Sequence, residues 1–97
     1  MLDLTLHNFD NYKIKMFDGE ELEIKYPSQA LFKEIAEIQN VSDSEKVGAI
    51  YEVLYKILNL NINGKKFTME EVADFDFRIA IAIVTDYFNE IGDNLKK

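Results

Sequence analysis

Phe75-Asp-Phe-Arg-Ile-Ala-Ile-Ala-Ile-Val-Thr-Asp-Tyr-Phe-Asn-Glu-Ile91 is the most apolar run in the chain, and its reading decides the fold. Ile, Val, Phe and Tyr also suit strands, so length and spacing must arbitrate. The run is longer than an ordinary strand. Phe77, Ala80, Ile81, Val84, Tyr87, Phe88 and Ile91 recur at the three-and-four spacing of one helical face, so a helix of about four turns is predicted, with Gly92 as its C-terminal cap.

That stripe leaves a remainder. At about 100° per residue, Ile79 and Ile83 fall roughly opposite it, with Phe75 near the same side. Burying one Ile contributes about 1.5–3 kcal/mol. Leaving two exposed therefore forgoes much of a small domain's net stability of about 5–15 kcal/mol. The expected cover is either another helix of the same chain or a partner surface formed by Phe75, Ile79 and Ile83.

Upstream, the pattern supplies material to pack on this helix. Leu2, Leu4 and Leu6 alternate with Asp3 and Thr5, the period of a half-buried strand, and His7 to Asn11 carries turn chemistry. Tyr12, Ile14 and Met16 alternate with Lys13 and Lys15. After Asp18-Gly19, Leu22, Ile24 and Tyr26 alternate with Glu21, Glu23 and Lys25, which makes a hairpin.

Its register follows from the strict two-residue period. A two-residue Asp-Gly turn sets Ile14 opposite Glu23 and mixes the faces. A three-residue loop, Phe17-Asp18-Gly19 with Gly19 left-handed, pairs Ile14 with Leu22 and Tyr12 with Ile24. Lys15 then faces Glu21 and Lys13 faces Glu23 on the solvated side.

Pro27 stops the strand and Ser28 can cap a helix carrying Leu31, Phe32, Ile35, Ala36 and Ile38. Asn40-Val41 breaks it. Ser42 with Glu45 has capping-box spacing ahead of a helix bearing Val47, Ile50, Tyr51, Leu54, Ile57 and Leu58, widened by Val53 and Leu60. Thr68 with Glu71 forms a further box over a short helix with Met69 and Val72, and Asp74 or Asp76 can cap the last helix. The expectation is one α+β domain over 1–97. An antiparallel β-hairpin or three-stranded meander (1–26) precedes about four helices (27–92), and a polar tail (93–97) is expected to fray.

The chain has 97 residues, no Cys and one His. Disulfides, thiolate chemistry and a zinc site lack their donors. A net charge of −7, with 11 basic residues, argues against binding nucleic acid. No segment reads as a membrane span or a signal peptide, so a cytoplasmic protein is expected.

Asn59-Leu60-Asn61-Ile62-Asn63-Gly64-Lys65-Lys66-Phe67-Thr68-Met69-Glu70 has the oxygen, Gly and Glu positions of a calcium loop. Its ligating positions are neutral amides, however, and Lys65 and Lys66 outweigh Glu70. An Asn63-Gly64 turn running into the Thr68 cap uses the same residues without a metal. Asp43-Ser44 suggests an acyl carrier, but Glu45 follows where that family places Leu. Glu70, Glu71, Asp74 and Asp76 sit where the helix dipole favours acids, and Ser28, Ser42 and Ser44 sit at helix starts. No catalytic constellation, metal site or cofactor site is expected.

The order of parts carries a resemblance. An N-terminal strand is followed by the Tyr12-Lys-Ile-Lys-Met-Phe-Asp-Gly19 hairpin. The Tyr26-Pro-Ser-Gln-Ala-Leu-Phe32 lead into a helix comes next, and the Asp74-Phe-Asp-Phe77 start of a closing helix ends the series. In a short acidic chain, these together resemble the tail assembly chaperones of long-tailed bacteriophages and prophages.

The resemblance spans essentially the whole chain and implies a cytoplasmic protein, absent from the finished virion. Such a protein binds the helical tape-measure protein and helps recruit tail-tube protein, and it tends to form homo-oligomers. Phe75, Ile79 and Ile83 would then be partner-binding. A longer frameshifted form also belongs to the family, and the Leu95-Lys96-Lys97 end can be encoded by an A-rich slippery site. The alternatives are a structural phage tail or connector subunit, or a small ligand-binding or regulatory domain.

Overall fold

The computed structural model describes residues 11–95, with side chains through residue 93. The predicted strand at Leu2, Leu4 and Leu6, the lone His7 and the terminal Lys96-Lys97 lie outside the described residues. Within them the chain is α+β: strands β1 (Tyr12–Lys15) and β2 (Glu21–Ile24) lead into helices α1 (Gln29–Glu37), α2 (Asp43–Leu58), α3 (Met69–Ala73) and α4 (Phe77–Leu95). A single 3-10 turn, Ile38–Asn40, joins α1 to α2.

The hairpin has the register its alternation requires. Tyr12 faces Ile24, Lys13 faces Glu23, Ile14 faces Leu22 and Lys15 faces Glu21. Met16 N–H donates to the Glu20 carbonyl at 2.8 Å and Gly19 N–H to that of Met16 at 2.9 Å. Residues 17–19 therefore form the three-residue loop, and Gly19 takes φ +85°, which only glycine adopts cheaply.

The helix starts are set by side-chain oxygens. Ser28 Oγ accepts the Leu31 N–H at 3.2 Å. Thr68 and Glu71 form the reciprocal box. Asp76, rather than Asp74, caps α4, its Oδ1 accepting the Arg78 N–H at 2.8 Å.

Two expectations about helix ends fail. Ser42 Oγ lies 3.2 Å from Ser44 Oγ and makes no capping bond, so the Ser42–Glu45 box does not close. Gly92 is not a left-handed cap but lies inside α4, which runs on to Leu95. A helical Gly costs only about 1 kcal/mol, too little to end a helix already anchored by Ile91.

Helix α2 is the centre of the core. Val53, Leu54, Ile57 and Leu58 are fully buried, and the helix packs against α1, α3 and α4. The Lys56 ammonium donates to both Glu34 carboxylate oxygens, at 3.0 and 2.9 Å, tying α2 to α1. That hydrogen bonding holds the Lys56 pKa above its ordinary range. No buried side-chain nitrogen or oxygen among the described residues lacks a hydrogen-bond partner.

The link between α2 and α3, residues 59–68, lies along the outer edge of β2. Ile62 N–H donates to the Glu23 carbonyl at 2.9 Å and Lys25 N–H to that of Leu60 at 3.1 Å. Asn61 pairs antiparallel with Ile24. The link thus serves as a partial third strand on a hairpin too short to stand alone.

Hydrogen bonds to the Arg78 side chain and backbone hold the Asp76 carboxyl below its usual value. A pKa depressed by folding contributes stability that is present above the unfolded carboxylate pKa. That contribution is lost as the pH falls through the folded value. Asp76→Asn keeps a capping oxygen but loses the titrating charge, so it is expected to melt slightly below the unmodified chain at neutral pH, to meet it in acid, and so to show a flatter acid limb in a melting-temperature profile.

Candidate functional site

The apolar arc of α4 is wider than one neighbouring helix can cover. Ala80, Ile83, Val84, Tyr87 and Ile91 are buried. Their centre is rotated roughly 50° around the helix from the stripe the sequence predicts. Phe77 and Ile81, expected in the core, sit at its rim, 38% and 39% exposed. Ile83, expected on the second face, is 8% exposed and belongs to the core.

Within the chain, the element that packs on this side of α4 is not another helix but the hairpin. The Tyr12 ring meets the Tyr87 ring edge-on with centroids 5.2 Å apart. Tyr12 Oη donates to Asp86 Oδ2 at 2.7 Å, and Tyr87 Oη donates to the Lys25 carbonyl at 2.6 Å. Each tyrosine thus carries an apolar ring inward and a satisfied hydroxyl at the edge. Burial pushes both phenol pKa values up, helped at Tyr12 by the Asp86 hydrogen bond and carboxylate and at Tyr87 by Tyr26.

Phe75 and Ile79, the other two residues expected at a partner surface, are half-buried and pack against the core. With Ile83, Ile14, Met16 and Phe17 they border a shallow apolar groove of about 180 Å³ beneath the hairpin tip. Phe17 is 79% exposed there, its ring centroid 6.4 Å from that of Phe75. Phe75 is further fixed by its carbonyl, which accepts the Tyr51 hydroxyl at 2.7 Å.

A second groove, of about 220 Å³, lies on the opposite flank of α4. Ile35 and Ile38 form one wall, Ile50 the floor, and Ile81, Val84 and Phe88 the other wall, with only neutral polar residues, Gln39, Thr85 and Asn89, at its border. Phe32 stacks on Phe88 with centroids 5.1 Å apart, which ties α1 to the wall that Phe88 provides. Near the groove, Phe77 lies against Tyr51 with ring centroids 6.0 Å apart, and Val47, which precedes Ile50 by about one turn of α2, is 46% exposed. The sequence stripe contained these residues. It placed them in the core, because spacing does not say which edge of a wide arc stays open.

The calcium-like loop is built for another purpose. Asn59 Nδ2 donates to the Tyr55 and Phe67 carbonyls while its Oδ1 accepts the Phe67 N–H. Asn61 Oδ1 accepts the N–H groups of Asn63 and Lys65, and its Nδ2 donates to the Leu58 and Lys65 carbonyls. Asn63 Oδ1 accepts the Glu23 N–H at 2.9 Å. The amides that looked like ligands satisfy backbone instead. Lys65 pairs with Glu20, which fixes the hairpin end of the loop.

Among the described residues, no group of three or more His, Cys, Asp or Glu lies close enough together to hold a metal ion, and no helix is long and apolar enough to cross a membrane. No protein-family model, curated protein or solved structure matches the chain.

Ile83→Asp is therefore expected to abolish cooperative thermal unfolding, since it buries an unpaired charge. Ile81→Asp, on the open flank of the same helix, is expected to cost about 1 kcal/mol or less. Circular-dichroism melts of the two variants decide between the core and rim positions.

Proposed function

We propose that this protein is a non-catalytic assembly chaperone of the phage tail kind, which holds an apolar helical stripe of the tape-measure protein until tail-tube subunits replace it. The observation that carries the reading is the flank shared by α2 and α4, where Val47 of α2 and Phe77 and Ile81 of α4 are partly exposed and Ile81 lines a groove with no charged lining. Single exposed apolar residues are ordinary; several on neighbouring elements beside an apolar groove support a binding surface. An amphipathic helix could lay its i, i+3, i+4 anchors between the groove's two walls.

The ordering of hairpin, Pro27-Ser28 lead and Asp76-capped closing helix, on which the resemblance rests, supports the same reading. The net charge of −7 suits a carrier that must keep an aggregation-prone partner in solution. In this reading the protein works in the host cytoplasm without cofactor or nucleic acid. The partner surface is then placed on the opposite flank rather than at Phe75, Ile79 and Ile83, since Ile83 is part of the core.

The test is co-expression with the tape-measure protein of the same phage or prophage genome, followed by affinity capture. The unmodified chain is expected to capture and solubilise it. The Val47→Asp/Ile81→Asp double variant should melt cooperatively and lose capture by about tenfold or more, the scale of losing one or two buried apolar anchors. Undiminished capture by the double variant would remove this groove as the binding surface, and failure of the unmodified chain to capture would remove the chaperone assignment.

A further inference from the structure

Asn63-Gly64 is the dipeptide most prone to non-enzymatic deamidation, because a residue without a side chain follows the asparagine and leaves its backbone nitrogen unhindered. In the reaction the Gly64 nitrogen attacks Asn63 Cγ, a C–N bond forms and Nδ2 departs as ammonia. Water then opens the resulting succinimide at either carbonyl to give aspartate or isoaspartate. The net change is water consumed and ammonia released, with no oxidant or cofactor.

Here both residues are exposed, and Gly64 sits at φ +79°. Its N–H has no protein acceptor among the described residues. The nucleophile is therefore unoccupied. The electrophile is not: Asn63 Oδ1 accepts the Glu23 N–H at 2.9 Å, and Nδ2 donates to the Glu21 carbonyl at 3.4 Å. Both polar atoms of the carboxamide are thus held on β2, some forty positions upstream.

We infer that Asn63 is a modification site at which deamidation is gated by undocking of the 59–68 link from β2, and that the product does not re-form the clasp. Cγ can swing onto the Gly64 nitrogen only after the carboxamide has let go of β2. The chemistry therefore samples the open state of the link.

Reversal is disfavoured on two counts. A carboxylate can still accept the Glu23 N–H, but it has no N–H to offer the Glu21 carbonyl, its lone pairs face that carbonyl oxygen, and it adds charge beside Glu21 and Glu23 in a chain already at −7. Isoaspartate also lengthens the backbone by one methylene between Asn61 and Lys65. The two N–H bonds that Asn61 Oδ1 accepts, from Asn63 and Lys65 at 3.0 and 3.1 Å, are then out of register.

The test is peptide mapping by mass spectrometry of the full chain held at mildly alkaline pH, beside a synthetic peptide covering residues 59–67 and the full chain in denaturant. Asn63 is expected to convert ahead of Asn40, Asn59, Asn61 and Asn89. Its rate should be about tenfold or more below that of the peptide and should reach the peptide rate in denaturant. Hydrogen exchange supplies the second readout. The Glu23 and Ile62 amides should lose protection in the deamidated protein and in Asn63→Asp, while the amides of α2 keep theirs. Conversion at the peptide's rate in the native chain, conversion elsewhere first, or unchanged Glu23 and Ile62 protection would each overturn the inference.

Discussion

Helix α4 presents an apolar arc that no single helix neighbour can cover, and the docking of the hairpin along one flank is the interaction on which the rest of the structure depends. The dock has two tyrosines at its centre. Tyr12 and Tyr87 meet edge to face, each with its hydroxyl donated across the seam, to Asp86 in one direction and to the Lys25 carbonyl in the other. A two-stranded hairpin is marginal by itself, so the helix stabilises the hairpin as much as the hairpin buries the helix. The bonds from the 59–68 link to Glu23 and Lys25 hold the far edge of β2 and make the arrangement three-sided.

This dock decides which surface remains open. With Ile14 and Met16 bordering the same groove as Ile83, the second face expected from spacing is narrowed to that groove, and the opposite rim, at Phe77 and Ile81, stays partly exposed. The functional reading turns on that asymmetry. An apolar flank bordered by neutral polar side chains suits the temporary shielding of a helical stripe that we propose, and a net charge of −7 is compatible with that role.

What was legible in the sequence was local. The hairpin register followed from the two-residue period and the need for a left-handed Gly19, and the Ser28 and Thr68 caps followed from side chains within three residues of their targets. The phase of α4 was not local. Its apolar arc is wide enough that Ile81 and Ile83 are equally good core candidates by spacing, and the choice rests on Tyr12 and Ile14, more than sixty positions upstream. Gly92 and Ser42 failed as signals for a related reason: each has the chemistry of a boundary, but the packing of Ile91 carries the helix on and Ser44 claims the Ser42 hydroxyl. The asparagines at 59, 61 and 63 matched a metal-loop pattern because both uses need short side chains with oxygens at alternate positions. Their partners are backbone groups, which no pattern of side chains reveals.

The most direct test of the account is a two-dimensional NOE spectrum read for the Tyr12 and Tyr87 ring protons, recorded on the chain alone and on a mixture of differently labelled chains. The docked hairpin predicts a strong cross-peak between the two rings within one chain and none between labelled and unlabelled chains. Absence of the intramolecular peak, with Ile83 methyl contacts seen only between chains, would contradict it and return the second face of α4 to a partner.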